Sequence, residues 1–179
     1  MTKDILLRIK AQLLGIQAED FGTEQVAVHE EQYLGRREVF VPEELFKDFK
    51  KKGVPVECVY CCDMSGNHTC PELFENEFIL LKADQSSKKT QLGRVEKGMI
   101  RKLDYRKAAP YGVSPRNVGQ YFMQEALMTD AETAPLVIIK GMAGTAKTFY
   151  SLAVGLEKVY NNPSQEYRRV IVCRPKRTV

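Results

Sequence analysis

Eight residues, Gly141-Met-Ala-Gly-Thr-Ala-Lys-Thr148, come close to the pattern G-x-x-x-x-G-K-[ST]. The chemistry that needs this pattern is the grip on a nucleotide's phosphates. A strand turns abruptly into a helix, and glycines let the backbone N–H groups approach the phosphate oxygens. The start of the helix adds partial positive charge. In that arrangement Gly141, Met142, Ala143, Gly144, Thr145 and Ala146 form the cradle. Lys147 reaches the β- and γ-phosphates of ATP, and the Thr148 hydroxyl helps to hold Mg²⁺. One position departs from the pattern, because Ala146 stands where glycine is expected. If that residue needs positive φ, alanine costs about 1–2 kcal/mol there. A Gly-rich turn with no ligand would match the same letters. The flanking residues favour the phosphate reading, with the apolar run Leu136–Lys140 just before and an amphipathic stretch just after.

A second set of candidate ligands is Cys58-x-x-Cys61-Cys62 followed by His68-x-Cys70. These are zinc-type donors, but only one step has the usual ligand spacing. The expectation is a loop of free thiols and no preformed zinc site. Cys173 sits apart, and without a secretion signal no disulfide framework is expected.

The elements that must position these residues follow from periodicity. Lys3 to Leu14 reads as a helix with Ile5, Leu6, Ile9 and Leu13 on one face and Gly15 as its stop. The stretch to about Gly35 is polar and aperiodic and reads as linker. Arg36 to Val41 reads as a short strand. Pro42 then opens a helix that buries Leu45, Phe46 and Phe49 and stops at Gly53. Beyond the cysteine loop, Glu77–Ala83, Thr90–Glu96 and Met99–Tyr105 read as strands, the last two joined at Lys97-Gly98. A small antiparallel module with basic residues on an open face is expected over residues 77–105. A boundary is expected near Ala108-Ala109-Pro110. Ser114-Pro115 reads as the start of a helix running to about Met128. Strand Leu136–Lys140, the Gly-containing loop, helix Thr148–Val159 and strand Val170–Cys173 together spell a βαβ unit and a parallel sheet.

The fold class read from the sequence is therefore α/β, a partial P-loop NTPase with a parallel βαβ start, preceded by a small β-rich module. The 179 residues are 44% hydrophobic and 28% charged, as in ordinary soluble domains. No apolar run approaches the length of a membrane span, and Asp4, Arg8 and Lys10 interrupt any signal-peptide core, so a cytoplasmic address and no membrane partner are expected. The net charge of +4 is unevenly spread. Ile16 to Glu77 holds six Lys/Arg against fourteen Asp/Glu, whereas Lys82 to Lys107 holds nine against three. A basic stretch of that kind suits an anionic partner such as RNA, or is a solvated surface.

Three motifs in order resemble the PhoH-like ATPases. They are Tyr111–Phe122 (Y-G-V-S-P-R-N-V-G-Q-Y-F), Ala134–Thr148 (A-P-L-V-I-I-K-G-M-A-G-T-A-K-T) and Tyr167–Pro175 (Y-R-R-V-I-V-C-R-P). Thr2–Ile16 is similar to the closing part of a PIN nuclease domain, and Leu73–Leu81 to the region linking PIN and PhoH domains. The resemblance implies three divisions: a PIN remnant over 1–16, a linking region with the β module over 17–110, and the first part of a PhoH-like P-loop domain over 111–179. It implies that both ends are cut relative to such a protein. It implies that Gln120, with Asn117, lies on the adenine side of the nucleotide, where an amide offers donor and acceptor together. An exposed helical glutamine is the plain alternative. Asp4 matches the last acidic position of the PIN metal site, or is simply a first-turn helix acid. Arg174-Pro175 matches a motif of unassigned role.

ATP, Mg²⁺ and RNA are thus the expected ligands and partners, with a homo-oligomer allowed. The leading expectation is the ATP-binding portion of an RNA-associated ATPase that hydrolyses little alone, because the acidic strand that would complete the Mg²⁺ shell is not among these residues. The competing expectations are a nucleic-acid-binding module with a vestigial nucleotide site, and a fragment without function.

Overall fold

The computed structural model describes residues 10–11, 13–16, 33–62, 66–84, 86–162 and 166–173. The chain divides into two units, residues 1–34 and 35–179. In the first, residues 10, 11 and 13 are helical. The turn closes at Gly15, whose φ of 71° is the left-handed stop expected there, and the Ile16 N–H donates to the Ala11 carbonyl at 2.9 Å. Asp4 lies outside the described residues, as does most of the helix expected from Lys3.

The second unit is built on a five-stranded mixed sheet. Its strands are β1 (Arg36–Val41), β2 (Val54–Pro55), β5 (Phe78–Ala83), β6 (Ser86–Glu96) and β7 (Met99–Lys102), in the order β1-β5-β6-β7-β2. A separate ribbon pairs β3 (Cys61–Cys62) with β4 (His68–Thr69). The antiparallel β5–β6–β7 meander is the expected module, with Lys97 (φ 51°) and Gly98 (φ 74°) making its turn. Two positive-φ residues in a two-residue hairpin match the strands' right-handed twist. Not foreseen was β1 running parallel to β5, Arg36 beside Phe78 through Val41 beside Ala83. The alternation in R-R-E-V-F-V gives β1 one buried face, Val39 and Val41, and that face needs a sheet to lie in.

Helix α1 (Glu43–Lys52) forms as its sequence demands. Pro42 precedes it, Glu43 and Glu44 occupy its first turn, and Lys50, Lys51 and Lys52 its last, all favourable to the helix dipole. Gly53, at φ 75°, ends it by donating to the Phe49 carbonyl at 2.9 Å. Phe46 and Phe49 bury against Val39, Val41, Ile79, Leu81, Ala83, Val95 and Ile100 to make the main core. Gly93 in β6 lies under α1. A Cβ there would stand 2.8 Å from the Arg101 carbonyl oxygen and 3.0 Å from the Phe49 ring.

The opposite face of the sheet is the larger correction. It was expected to be open and basic, but helix α2 (Val118–Met128) covers part of it. Phe122 stacks on Phe78 with ring centroids 4.9 Å apart, and Leu80, Leu92, Leu103 and Tyr121 complete the cluster. The alternating pattern of β5 already places Phe78 and Leu80 on this face, and an apolar face is left open only at a cost. Several basic residues of the stretch are engaged rather than free. Arg94 donates to Thr129 at 2.8 Å, Lys82 pairs with Glu38, Lys89 pairs with Glu43 at 3.0 Å, and Arg106 sits 5.9 Å over the Tyr121 ring.

The segment joining the sheet to α2 is pinned by two adjacent helix residues. Gln124 donates to the Tyr105 and Ala108 carbonyls at 2.7 and 2.9 Å. The Glu125 carboxylate accepts from the Asp104 and Tyr105 N–H groups, both at 2.9 Å. Burial pushes the Glu125 carboxyl above its ordinary 4.5, against the pull of those two N–H groups. The folded chain therefore holds this proton more tightly than the unfolded chain. The group's contribution to stability is fully present below the ordinary value and is lost as pH rises through the raised one. Glu125→Gln is expected to flatten that part of the profile in urea melts at a series of pH values. It should also cost about 1–3 kcal/mol, since one of the two N–H groups loses its acceptor.

The two strands expected around the Gly-containing loop belong to no sheet. Leu136–Lys140 and Val170–Cys173 carry no ladder among the described residues. Leu136 and Ile138 are 76% and 83% exposed, so the apolar signal is real but its partners are not in place. Two parallel strands alone lack the neighbours and covering layers that parallel sheets normally require. Both segments nevertheless approach helix α3 (Lys147–Leu156): Ile139 packs against the cluster of Met123, Tyr150 and Val154, and Val170 lies against Gly155.

Candidate phosphate loop

The loop 141–146 bends through Gly144 at φ 77° and Ala146 at φ 61°, ψ 22°, and α3 begins at the next residue, Lys147. A left-handed residue at this position is what the sequence pattern assigns to glycine, and here it is held by alanine. Ala146 packs with Val113 and Ile139 against Met123, Tyr150 and Val154, and this packing offsets its strain. The Tyr150 N–H donates to the Ala146 carbonyl at 2.9 Å, the first bond of the helix. No side chain caps the helix start, so the N–H groups of its first turn have no partner within the helix. The loop residues and Thr148 are exposed.

Lys147 folds back over the loop. Its ammonium donates to the Gly141 carbonyl at 2.9 Å, the Met142 carbonyl at 2.5 Å and the Thr145 hydroxyl at 3.2 Å. The Thr145 hydroxyl in turn donates to the Met142 carbonyl at 2.8 Å. The cation is thus held directly above the bend, where it neutralises the carbonyl dipoles of an anion-sized turn. α3 starts one residue earlier than the expected Thr148 and ends at Leu156, passing into a π-turn over Glu157–Asn161. Its buried residues are Tyr150, Ala153 and Val154, while Leu152 is 37% exposed.

Asn117 and Gln120 lie at the start of α2, on the segment that follows Val113. The helix does not begin at Ser114-Pro115 but at Val118, with Asn117 as its cap. The Gln120 N–H donates to the Asn117 Oδ1 at 3.0 Å, and the Arg116 N–H donates to the Gln120 Oε1 at 2.8 Å. The two amides thereby satisfy backbone donors on both sides of the helix start, a relative of the capping box, and this outcompetes a start at Ser114.

Three contacts around the loop had no signal in the sequence. Tyr111, left-handed at φ 49°, donates its N–H to Glu157 Oε2 at 2.7 Å. The Thr129 hydroxyl accepts from Arg94 and donates to the Glu125 carbonyl at 2.8 Å, while its carbonyl accepts from Lys158 at 2.7 Å. These bonds tie the sheet, the end of α2 and the end of α3 together. They join residues 35–46 positions apart or at helix ends, where periodicity carries no information.

Around the cysteine ribbon, Tyr60 stacks on His68 with centroids 4.1 Å apart and on Phe40 at 5.9 Å. All five cysteines are free, and burial pushes the Cys61 thiol up. Among the described residues no group of three or more His, Cys, Asp or Glu side chains is placed to hold a metal ion. No helix among them is long and apolar enough to cross a membrane. Arg174-Pro175 lies outside the described residues.

No family model matches the chain. No solved structure matches it. Three curated proteins do. It is 30% identical over 178 residues to "Protein PhoH2" of Bacillus subtilis (strain 168), covering 98% of this chain and 37% of that protein. It is 28% identical over 179 residues to the PhoH2 of Mycolicibacterium smegmatis, and 29% identical over 175 residues to that of Thermobispora bispora, again covering 98% of this chain and 36% of each relative. The chain thus spans little more than a third of the relatives it matches, and over 98% of its own length its likeness to them supports a PhoH-family protein.

Proposed function

We propose that residues 141–148 bind the phosphates of ATP, and that the chain is the ATP-binding portion of an RNA-associated, PhoH-like P-loop ATPase. The observation that carries this is the left-handed Ala146 set directly before a helix that opens on Lys147. It leaves unpartnered N–H groups, a helix dipole and an ammonium facing the same bend. In this reading the first-turn N–H groups orient the phosphate oxygens. Lys147 leaves its loop carbonyls for the β- and γ-oxygens, and Thr148 joins the Mg²⁺ shell when metal accompanies the nucleotide. Asn117 and Gln120 lie on the base side. RNA is placed on the exposed basic residues Lys88, Lys97, Lys102 and Lys107, outside the face that α2 covers.

Binding with very slow turnover is the expected behaviour of these 179 residues. Phosphoryl transfer needs a positioned water and added positive charge, and lack of an arginine finger alone lowers rates by a factor on the order of 10³ to 10⁵. Calorimetric titration of the full chain should give a measurable Kd for Mg·ATP and much weaker binding of AMP, which lacks the phosphates that Lys147 would reach. Equal affinity for the two would contradict the assignment. The second reading, a nucleic-acid-binding module with a vestigial nucleotide site, is favoured by one observation: the best-formed part of the molecule is the five-stranded sheet, while the segments flanking the loop are unpaired. It predicts RNA binding without nucleotide binding.

A further inference from the structure

The nucleotide reading leaves open which base the site accepts, and the cap at the start of α2 bears on that choice. Asn117 and Gln120 belong to the segment that follows Val113, and Val113 packs on the same Met123–Tyr150–Val154 cluster as Ala146 of the loop. Helices α2 and α3 pack together there, so the start of α2 is the element nearest in sequence and packing to the base side of a nucleotide seated on the loop. Both side-chain oxygens in this cap are turned inward. Asn117 Oδ1 takes the Gln120 N–H at 3.0 Å, and Gln120 Oε1 takes the Arg116 N–H at 2.8 Å. Each amide is planar, with its NH₂ group opposite its oxygen. The edges left for a ligand are therefore two NH₂ groups, which donate and do not accept.

A donor edge fits a base that presents acceptors. Guanine offers O6 and N7 side by side, whereas adenine offers N7 beside a donating N6 amino group. An adenine N6 facing these amides would meet donor against donor. We propose that the Asn117–Gln120 pair presents hydrogen-bond donors alone to the base, so that this site holds GTP at least as tightly as ATP. The proposal rests on the phosphate-loop reading above, and its test separates the two.

The test is competitive binding of Mg·ATP, Mg·GTP and inorganic tripolyphosphate to the full chain, wild type and Gln120→Glu. Glutamate at this position keeps the cap, because its carboxylate accepts the Arg116 N–H and is favoured near a helix start. It replaces the donating NH₂ with an acceptor. In the wild type, GTP should bind as tightly as ATP or tighter. In Gln120→Glu the ratio of ATP to GTP affinity should move toward ATP by roughly tenfold, the usual consequence of exchanging a paired for an unpaired polar group. Any charge repulsion of the triphosphate affects both nucleotides and cancels in the ratio. A tenfold or greater preference of the wild type for ATP, or a ratio unmoved in Gln120→Glu, overturns the donor-edge proposal while tripolyphosphate binding keeps the phosphate loop standing. No binding of any of the three overturns both.

Discussion

Lys147→Ala is expected to weaken Mg·ATP binding by about 10- to 150-fold while leaving the chain folded. The magnitude follows from the loss of hydrogen bonds to a charged group, worth roughly 1.5–3 kcal/mol, with every 1.4 kcal/mol a factor of ten. The ammonium already sits over the bend, bonded to the Gly141 and Met142 carbonyls and the Thr145 hydroxyl. It needs to move only from those acceptors to a phosphate to act. Stability should change by no more than about 0.5 kcal/mol, because the loop carbonyls it leaves are exposed and water replaces it. Calorimetric titration paired with a thermal melt of the same sample checks both halves. An unchanged Kd would remove Lys147 from the site. A collapsed melt would show that the lysine is a structural clip rather than a ligand-binding group.

The largest stability effect is expected at Phe122. This residue is 5% exposed and joins α2 to the outer face of the sheet through Phe78, Leu80, Leu92 and Leu103. Phe122→Ala should cost about 3–5 kcal/mol, the transfer term plus a cavity that two rigid elements cannot close. That is a large share of the roughly 5–15 kcal/mol that holds an ordinary domain together. The loss should reach the phosphate loop as well, because α2 also carries Met123, on which Tyr150 and Val154 of α3 pack. Denaturant unfolding followed by near-ultraviolet circular dichroism measures it. A change below about 1 kcal/mol would mean that α2 does not cover the sheet in solution, and that the open basic face expected from the sequence is present after all.

The parts of the fold legible in the sequence were those set by local periodicity and punctuation. β1, α1 with Phe46 and Phe49, the stop at Gly53 and the Lys97-Gly98 hairpin all depend on residues a few positions apart. The parallel pairing of β1 with β5 was not legible, because it joins Val39 to Leu81 across α1 and the cysteine ribbon, and no spacing rule connects them. The covering of Phe78 by Phe122 was missed because net charge was read along the chain, whereas the sheet sorts residues by face. The loop's position and its positive-φ demand at Ala146 could be read from the pattern alone. The start of α2 could not, since Ser114-Pro115 and Asn117 with Gln120 are both good helix starts, and only the reciprocal bonds of the second pair decide between them. Leu136–Lys140 shows the converse case: its apolar run announces a strand, but a strand also needs neighbours to pair with.

The central claim is that the bend at 141–148 is a phosphate site. Two-dimensional ¹H–¹⁵N NMR of the full chain tests it most directly, recorded before and after addition of Mg·ATP and, separately, inorganic tripolyphosphate. The account predicts saturable shifts of the Gly144, Thr145, Ala146, Lys147 and Thr148 amides with both ligands, reduced in Lys147→Ala. Amides of 141–148 that stay in place while those of residues 88–107 move would contradict it, and would assign the anion to the basic edge of the sheet instead.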